Sequence, residues 1–438
     1  MLGGGTFTSQ NKVLPGAYIN VISKAQPTAL LGERGIVALP MALSWGSAGE
    51  VITVTAEAFQ RNSDSVVGYS IMADELKNLR EVFKNAQKVH IYNLADGEGS
   101  TTATLSGDSL IATAKKAGSR GNALKMVVQA NIDNDSAVDV SVYLDSSCVF
   151  EQKSITSSDK INANDFFVMA SGVTAATLLS SVGAGKSFSG GADGVVTTQS
   201  HQNALNAFER YNYNVLVCTD SETVGDLYVE YTKRMRDEIG KKFQTVVVNK
   251  DANYEGIVNL IPAQKDAVYW VAGALAGCAV NKSCTNKKYD GEYVIPCRET
   301  QSELENCIAD GKFAFHMVED EVRVLTDINS LIEFTPEKGE VFSKNQVIRV
   351  ADQCANDTAK IFNNEFLGKI QNDKSGRVSF WNRIVSHRRE LQTMRAIDTY
   401  AVDELTVDQG ESRDSVVVNE AIVPIVAMEK LYMTIIID

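Results

Sequence analysis

Gly183-Ala184-Gly185-Lys186-Ser187 ends like a phosphate-binding loop, in which a glycine-rich backbone cradles phosphates and a lysine meets their charge. That motif requires a glycine at position 180, where Ser180 stands, so a flexible loop is expected and an NTPase is not. Asp133, Asp135 and Asp139 hint at calcium, yet the twelve-residue calcium loop wants an oxygen ligand at 137 and glycine at 138, and Ala137 and Val138 occupy them. Cys278, Cys284, Cys297 and Cys307 lie at intervals of six, thirteen and ten, without the short chelating pair a zinc site uses. His90, His201, His316 and His387 are widely separated, and no G-x-S-x-G elbow occurs to present a serine nucleophile. No catalytic residue, cofactor or metal site is assigned.

A second grouping carries charge rather than reactivity. Arg377, Arg383, Arg388, Arg389 and Arg395 fall within nineteen residues that contain one acid, Glu390, in a chain of net charge −13. Phe380, Ile384, Leu391 and Met394 share one helical face there, leaving arginines beside it. A solvated basic helix or ion pairs within the subunit would explain this, and so would contact with an acidic partner. The overall acidity repels nucleic acid and anionic membrane, so neither direct nucleic-acid binding nor membrane insertion is expected.

The elements that position these residues suggest several packed units, because one hydrophobic core stops growing near roughly 250 to 300 residues and this chain has 438. An N-terminal arm (1–24) holds Tyr18, Ile19, Asn20, Val21 and Ile22, a β-prone run after Pro15-Gly16. Residues 25–95 alternate strand, helix and strand, an α/β layer. Residues 96–194 become short Thr-, Val- and Ser-rich runs between glycines, the pattern of a small inserted all-β domain. The α/β rhythm resumes over 195–337, with helices at Ser221 to Gly240 and Asp266 to Val280. The latter region holds the longest apolar segment, Ala267 to Val280, well short of the roughly twenty residues a membrane-crossing helix needs. Residues 338–428 read as an α+β unit with helices near Val350 to Ile370 and Val378 to Ile397. The N-terminus shows no export signal, and seven cysteines in apolar surroundings suggest reduced thiols in a cytoplasmic setting.

Residues 429–438 form the most informative stretch. Leu431, Tyr432, Met433, Thr434, Ile435, Ile436 and Ile437 make an apolar, β-branched run ending one residue before the chain does. An uncovered strand edge is an aggregation hazard. This one either pairs inside its own domain or is donated to a neighbouring copy, where main-chain hydrogen bonds supply affinity and alternate side chains supply register. With arms and acceptor on different surfaces, repeated contacts give a ring or a helical lattice.

The residues Pro15-Gly16-Ala17-Tyr18-Ile19-Asn20, Glu33-Arg34-Gly35-Ile36-Val37-Ala38-Leu39-Pro40 with Trp45-Gly46, Phe362 to Ile370, Gly376-Arg377 and Glu429-Lys430-Leu431-Tyr432-Met433 carry a resemblance to the contractile tail sheath family. The likeness is to sheaths of phages and phage-tail-like bacteriocins, especially of Gram-positive bacteria. It implies stacked hexameric rings around an inner tube, with terminal arms meshed between subunits. It also implies rigid-body rearrangement that drives the tube through an envelope without consuming nucleotide. The implied partners are further copies of the chain, an inner tail tube protein, and baseplate and tail terminator proteins. Assembly in the bacterial cytoplasm, then residence in a virion tail or bacteriocin particle, also follows from the resemblance. Because an inward segment of the family's core touches the tube, the five arginines become candidate tube contacts. The competing reading is a soluble α/β enzyme or ligand-binding protein with an inserted β domain; an adhesive or surface-layer subunit is disfavoured by the missing export signal.

Overall fold

Ile36–Met41 (β1) is buried at every position, as a strand covered on both faces must be. Its side chains divide by parity: Val37, Leu39 and Met41 enter one apolar cluster, Ile36 and Ala38 another on the opposite face. The computed structural model describes residues 31–46 and 49–437. The N-terminal run Tyr18 to Ile22 lies outside the described residues.

After β1 come Val51–Thr55 (β2), helix Ala56–Val67 (α1), helix Lys77–Phe83 (α2) and Lys88–Asn93 (β3). Thr55 caps α1 by accepting from the Ala58 amide. The insert then supplies Thr102–Ser106 (β4), Leu110–Ala117 (β5), Leu124–Ala130 (β6), Val138–Leu144 (β7), Ser147–Ile155 (β8), Phe167–Met169 (β9), helix Ala175–Val182 (α3) and Lys186–Ser187 (β10). Two sheets, β4-β5-β9 and β10-β6-β7-β8, enclose its core. Strand β7 buries Val138, Val140, Val142 and Leu144 in strict alternation.

The chain returns through helix Thr198–Phe208 (α4), Val215–Val217 (β11), helix Ser221–Lys233 (α5), Gln244–Val248 (β12), Ile257–Leu260 (β13), helix Val268–Gly277 (α6), helix Gln301–Ala309 (α7) and Lys312–Phe313 (β14). The core sheet runs β14-β13-β12-β11-β1-β3-β2, parallel throughout except for β2. Residues of α1, α2 and α6 cover one face and those of α4 and α5 the other. Helix α6 meets α2 at Gly273, where an added Cβ would stand 2.3 Å from the Val82 carbonyl oxygen, so only glycine permits that approach. Phe315–Val318 (β15) and Glu321–Val324 (β16) form a hairpin.

The insert is bolted to the core at Trp45, which leaves the β1–β2 connection and is fully buried in the insert's apolar cluster. Gly118 takes φ +120° against it, with the Ser44 carbonyl oxygen 2.0 Å from where a Cβ would sit. Asp193 ties the joint, accepting from the Ser44 hydroxyl (2.9 Å) and from the Ser119 amide and hydroxyl (2.7 and 2.8 Å).

The C-terminal unit consists of Asn345–Ile361 (α8), Lys374–Thr393 (α9), and a two-stranded ribbon of Thr406–Gln409 (β17) and Val416–Asn419 (β18). Both helices begin earlier than apolar periodicity predicts. Asp373 caps α9 through the Gly376 amide (2.7 Å), and α8 yields to a π turn over Phe362–Phe366 before reaching Ile370. Helix α3 departs from the all-strand expectation for the insert. Thr174 caps it by accepting from the Thr177 amide, and Ala175, Leu178 and Val182 fill the sandwich core.

Candidate assembly interface

The last described residues leave the body in stages. Ile397 bridges Pro424, with the Asp398 amide donating to the Val423 carbonyl (2.8 Å) and the Ile425 amide to Ala396 (3.0 Å). Gln346, at the start of α8, donates to the Ile425 carbonyl (3.0 Å) and accepts from the Ala427 amide (2.9 Å). The Glu429 carboxylate meets Lys344 Nζ (2.5 Å) and accepts from the hydroxyls of Thr285 (2.7 Å) and Thr326 (3.4 Å).

Beyond Lys430 the side chains stand largely in solvent among the described residues. Leu431 is 84% exposed, Tyr432 88%, Ile435 71% and Ile437 91%, and residues 431–437 join no strand among the described residues. Among the described residues, this run has no strand partner in its own domain. A contiguous exposed apolar segment makes this run a candidate interaction site.

The ribbon β17–β18 is the complementary feature. Val407, Val416 and Val418 rest against the C-terminal core, whereas Val417 faces out. A lone two-stranded sheet is marginal in water, and this one has no third strand among the described residues.

Helix α9 carries four of the five arginines and Arg395 follows its end, and the five sit in different surroundings. Arg377 is half-buried, donating to the Asn372 carbonyl and side chain (3.1 and 3.0 Å). Arg383 pairs with Glu365 (Nη2–Oε1 2.6 Å). Arg388 must be withdrawn as a tube contact, because it is 1% exposed. Its Nε and Nη2 engage Glu420 (3.0 and 2.5 Å), Nη2 also reaches Thr358 (2.9 Å), and Nη1 donates to His387 Nδ1 (2.6 Å). Position 388 lies four residues after Ile384 and three before Leu391, on the inward stripe, so helical spacing alone could have placed it inside. Arg389 and Arg395 remain exposed.

What sequence reading missed is the polar seam under α8. Arg236 forms a buried bidentate pair with Asp352 (2.7 and 2.8 Å), and Arg349 a buried pair with Asp327 (3.1 Å). Burial works against both guanidinium charges, but the facing carboxylates outweigh it and each pKa lies above the ordinary arginine value. These partners are 116 and 22 residues apart, and no local spacing announces them.

The other chemical candidates are dispersed. Lys186 and Ser187 are strand residues paired with Met126 and Lys125. Asp139 accepts from Asn131 Nδ2 (2.7 Å) and the Ser154 amide (2.9 Å), and Asp133 and Asp135 are exposed. Hydrogen bonding to Cys284, with Arg349 and Arg34 nearby, holds the Cys278 thiol below its ordinary value despite burial. Burial raises Cys297 to about 11. His90 bonds Thr53 (2.9 Å), His201 bonds Tyr228 (2.8 Å), and His387 bonds Asp357 (2.8 Å). Among the described residues no group of three metal-type side chains converges, and no helix is long and apolar enough to cross a membrane.

The chain thus combines a doubly covered α/β core, a β-sandwich insert and an exposed apolar run at 431–437. Successive segments match known sheath domains: residues 34–94 the tail sheath protein Gp18 domain III N-terminal region, 96–193 the phage tail sheath protein beta-sandwich domain, 194–330 the central domain and 337–438 the C-terminal domain. The phage-like element PBSX protein XkdK of Bacillus subtilis (strain 168) is 30% identical over 470 aligned residues, covering 99% of each chain. The crystal structure of a sheath tail protein from Desulfitobacterium hafniense superposes with a TM-score of 0.77 at 32% identity, covering 95% of this chain and 99% of that one. A likeness of fold alone extends to the helical sheath of the anti-feeding prophage in its contracted state, with a TM-score of 0.56 at 10% identity over 99% and 100% of the chains. The chain belongs to the phage tail sheath family, a family of structural proteins.

Proposed function

We propose that the protein is the repeating subunit of a contractile sheath, stacked as hexameric rings around an inner tube and held together by exchanged terminal arms. The single observation that carries this reading is the uncovered run Leu431 to Ile437, six large apolar side chains left in water at the end of an otherwise well-packed body. Added to a neighbour's β17–β18 ribbon, the run gains main-chain partners and the ribbon gains a third strand. The N-terminal run Tyr18 to Ile22 is proposed as the second link. Assembly takes place in the bacterial cytoplasm, and the product is carried in a released virion tail or bacteriocin particle.

Contraction needs no catalytic site, since an extended lattice trapped above its contracted form releases stored free energy as subunits rotate. The inner tube meets α9 and the turn after it, with exposed Arg389 and Arg395 as the electrostatic contacts, and baseplate and terminator proteins cap the ends. Electron microscopy of the purified chain with and without residues 431–438 tests the reading. Rings or tubes from the full chain and dispersed folded subunits from the truncated one support it, whereas tubes from the truncated chain refute it.

A further inference from the structure

Gly32 and the segment 425–429 are fastened to one helix. At the start of α8, Gln346 holds Ile425 and Ala427 while Lys344, just before the helix, holds Glu429. Eleven residues later, near its other end, Asp357 accepts the Gly32 amide on both carboxylate oxygens (3.0 and 3.1 Å). Gln353 Nε2 bridges Asp357 (2.7 Å) and the Gly32 carbonyl (3.3 Å). At a rise of about 1.5 Å per residue the two anchor points stand roughly 16 Å apart.

The rear clamp is closely fitted. A Cβ added to Gly32 would lie 2.5 Å from Asp357 Oδ1. Asp357 is braced from behind by His387, whose Nδ1 accepts from Arg388, so its Nε2 carries the proton donated to the carboxylate.

Between the clamps α8 is fixed to the core. Arg349 pairs with Asp327 and donates to the Lys282 carbonyl (2.7 Å), and Asp352 holds Arg236, whose Nη1 also reaches the Phe243 carbonyl (2.6 Å). Asn345 accepts from Gln244 Nε2 (2.7 Å) and donates to Asp327 (2.9 Å) and the Ile328 carbonyl (2.8 Å). A pull on either terminal segment therefore reaches α8 directly, with Thr285 and Thr326 sharing the load at Glu429.

We infer that α8 is the strut of the subunit, and that Lys344, Gln346 and Glu429 at one end and Gln353, Asp357 and Gly32 at the other are positioning residues that fix where the two arms leave the body. This rests on the arm-exchange reading and adds to it that strand exchange alone is insufficient. Arms rooted at a fixed spacing transmit one subunit's rotation to the next, whereas loosely rooted arms still pair but no longer impose a common lattice.

The test uses the full chain with Glu429→Lys, Lys344→Glu/Glu429→Lys, Gly32→Ala and the 431–438 deletion, each assessed for melting temperature and for assembly by electron microscopy. Glu429→Lys places two cations together at a partly exposed site, and should melt within a few degrees of the parent while its tubes lose a common diameter and pitch. The charge-swapped double variant should recover both. Gly32→Ala should show the same loss from the other end. Glu429→Lys tubes with the parent's diameter and pitch overturn the strut, as does a swap that restores nothing; should Glu429→Lys fail to fold, Gly32→Ala decides on the same criterion. Tubes from the deletion chain bring down the arm reading itself, a result distinct from ordered Glu429→Lys tubes.

Discussion

Replacing Ile435 with aspartate should raise the concentration needed for tube assembly by more than about 100-fold, while the same change at the adjacent Thr434 should not. Once added to a sheet, residues 431–437 alternate between two faces. Leu431, Met433, Ile435 and Ile437 fall on one, and Tyr432, Thr434 and Ile436 on the other. The face with four large apolar groups is the one expected to pack. Burying an isoleucine side chain is worth about 1.5–3 kcal/mol, and Ile435 starts from 71% exposure, so most of that is available on docking. A buried aspartate forfeits it and adds about 1–3 kcal/mol for an uncompensated polar group. A total near 3 kcal/mol or more, at about 1.4 kcal/mol per tenfold, gives the stated factor. The assay is pelleting of assembled material across a concentration series, with melting temperature as the folding control. Equal thresholds for Ile435→Asp and the parent would refute docking of this run. Equal impairment by Thr434→Asp and Ile435→Asp would refute its alternation as a strand.

Asp352→Ala leaves the Arg236 guanidinium buried and unpaired, and should cost about 3–5 kcal/mol in urea denaturation. Arg388→Glu should destabilise the fold by breaking the Glu420 pair, whereas Arg389→Glu should leave melting unchanged and reduce co-sedimentation with the tube protein; unchanged co-sedimentation removes α9 as the contact. Burial is the largest influence on Asp357 and raises its pKa, but hydrogen bonds from His387, Gln353 and Gly32 outweigh it and the value lies below the ordinary one. A depressed carboxylate contributes stability that is present above its unfolded pKa and lost as pH falls towards its folded one. Melting temperature should thus drop below about pH 4, and Asp357→Asn should flatten that drop; a parallel curve for the variant would show that the clamp does not titrate.

The parallel core was legible because fully buried strands are continuous apolar runs, and Ile36 to Met41 and Thr245 to Val248 are such runs. Ile257–Leu260 was not, since the five residues between Gly256 and Pro262 are too few to establish a period. Helix α3 hid among serines, threonines and glycines whose local preference is for turns. The arm at 431–437 was conspicuous because it is an unbroken apolar, β-branched run. The strut was invisible for the opposite reason: Asp352, Asp357 and Arg349 look like a solvated helical face until the chain brings Arg236, Gly32 and Asp327 to them. Long-range ion pairs leave no periodic trace, and two arginines adjacent on a helix, 388 and 389, can have opposite fates because they point about 100° apart.

The neck of the β sandwich has a consequence for how such a subunit can vary. The chain enters and leaves that unit side by side: Thr101 and Ala192 exchange backbone hydrogen bonds (2.9 and 3.2 Å), and the Gly194 amide returns to the Ala95 carbonyl (2.9 Å). Everything from Gly97 to Asp193 hangs from this paired stalk as a cassette, so a shorter linker or a different module could be grafted between Ala95 and Gly194 without reordering a single strand of the parent sheet. Among the described host residues, Trp45 would need a new lid, as would Tyr69, which Arg120 of the insert covers, and Ser44 would need a new partner for its hydroxyl.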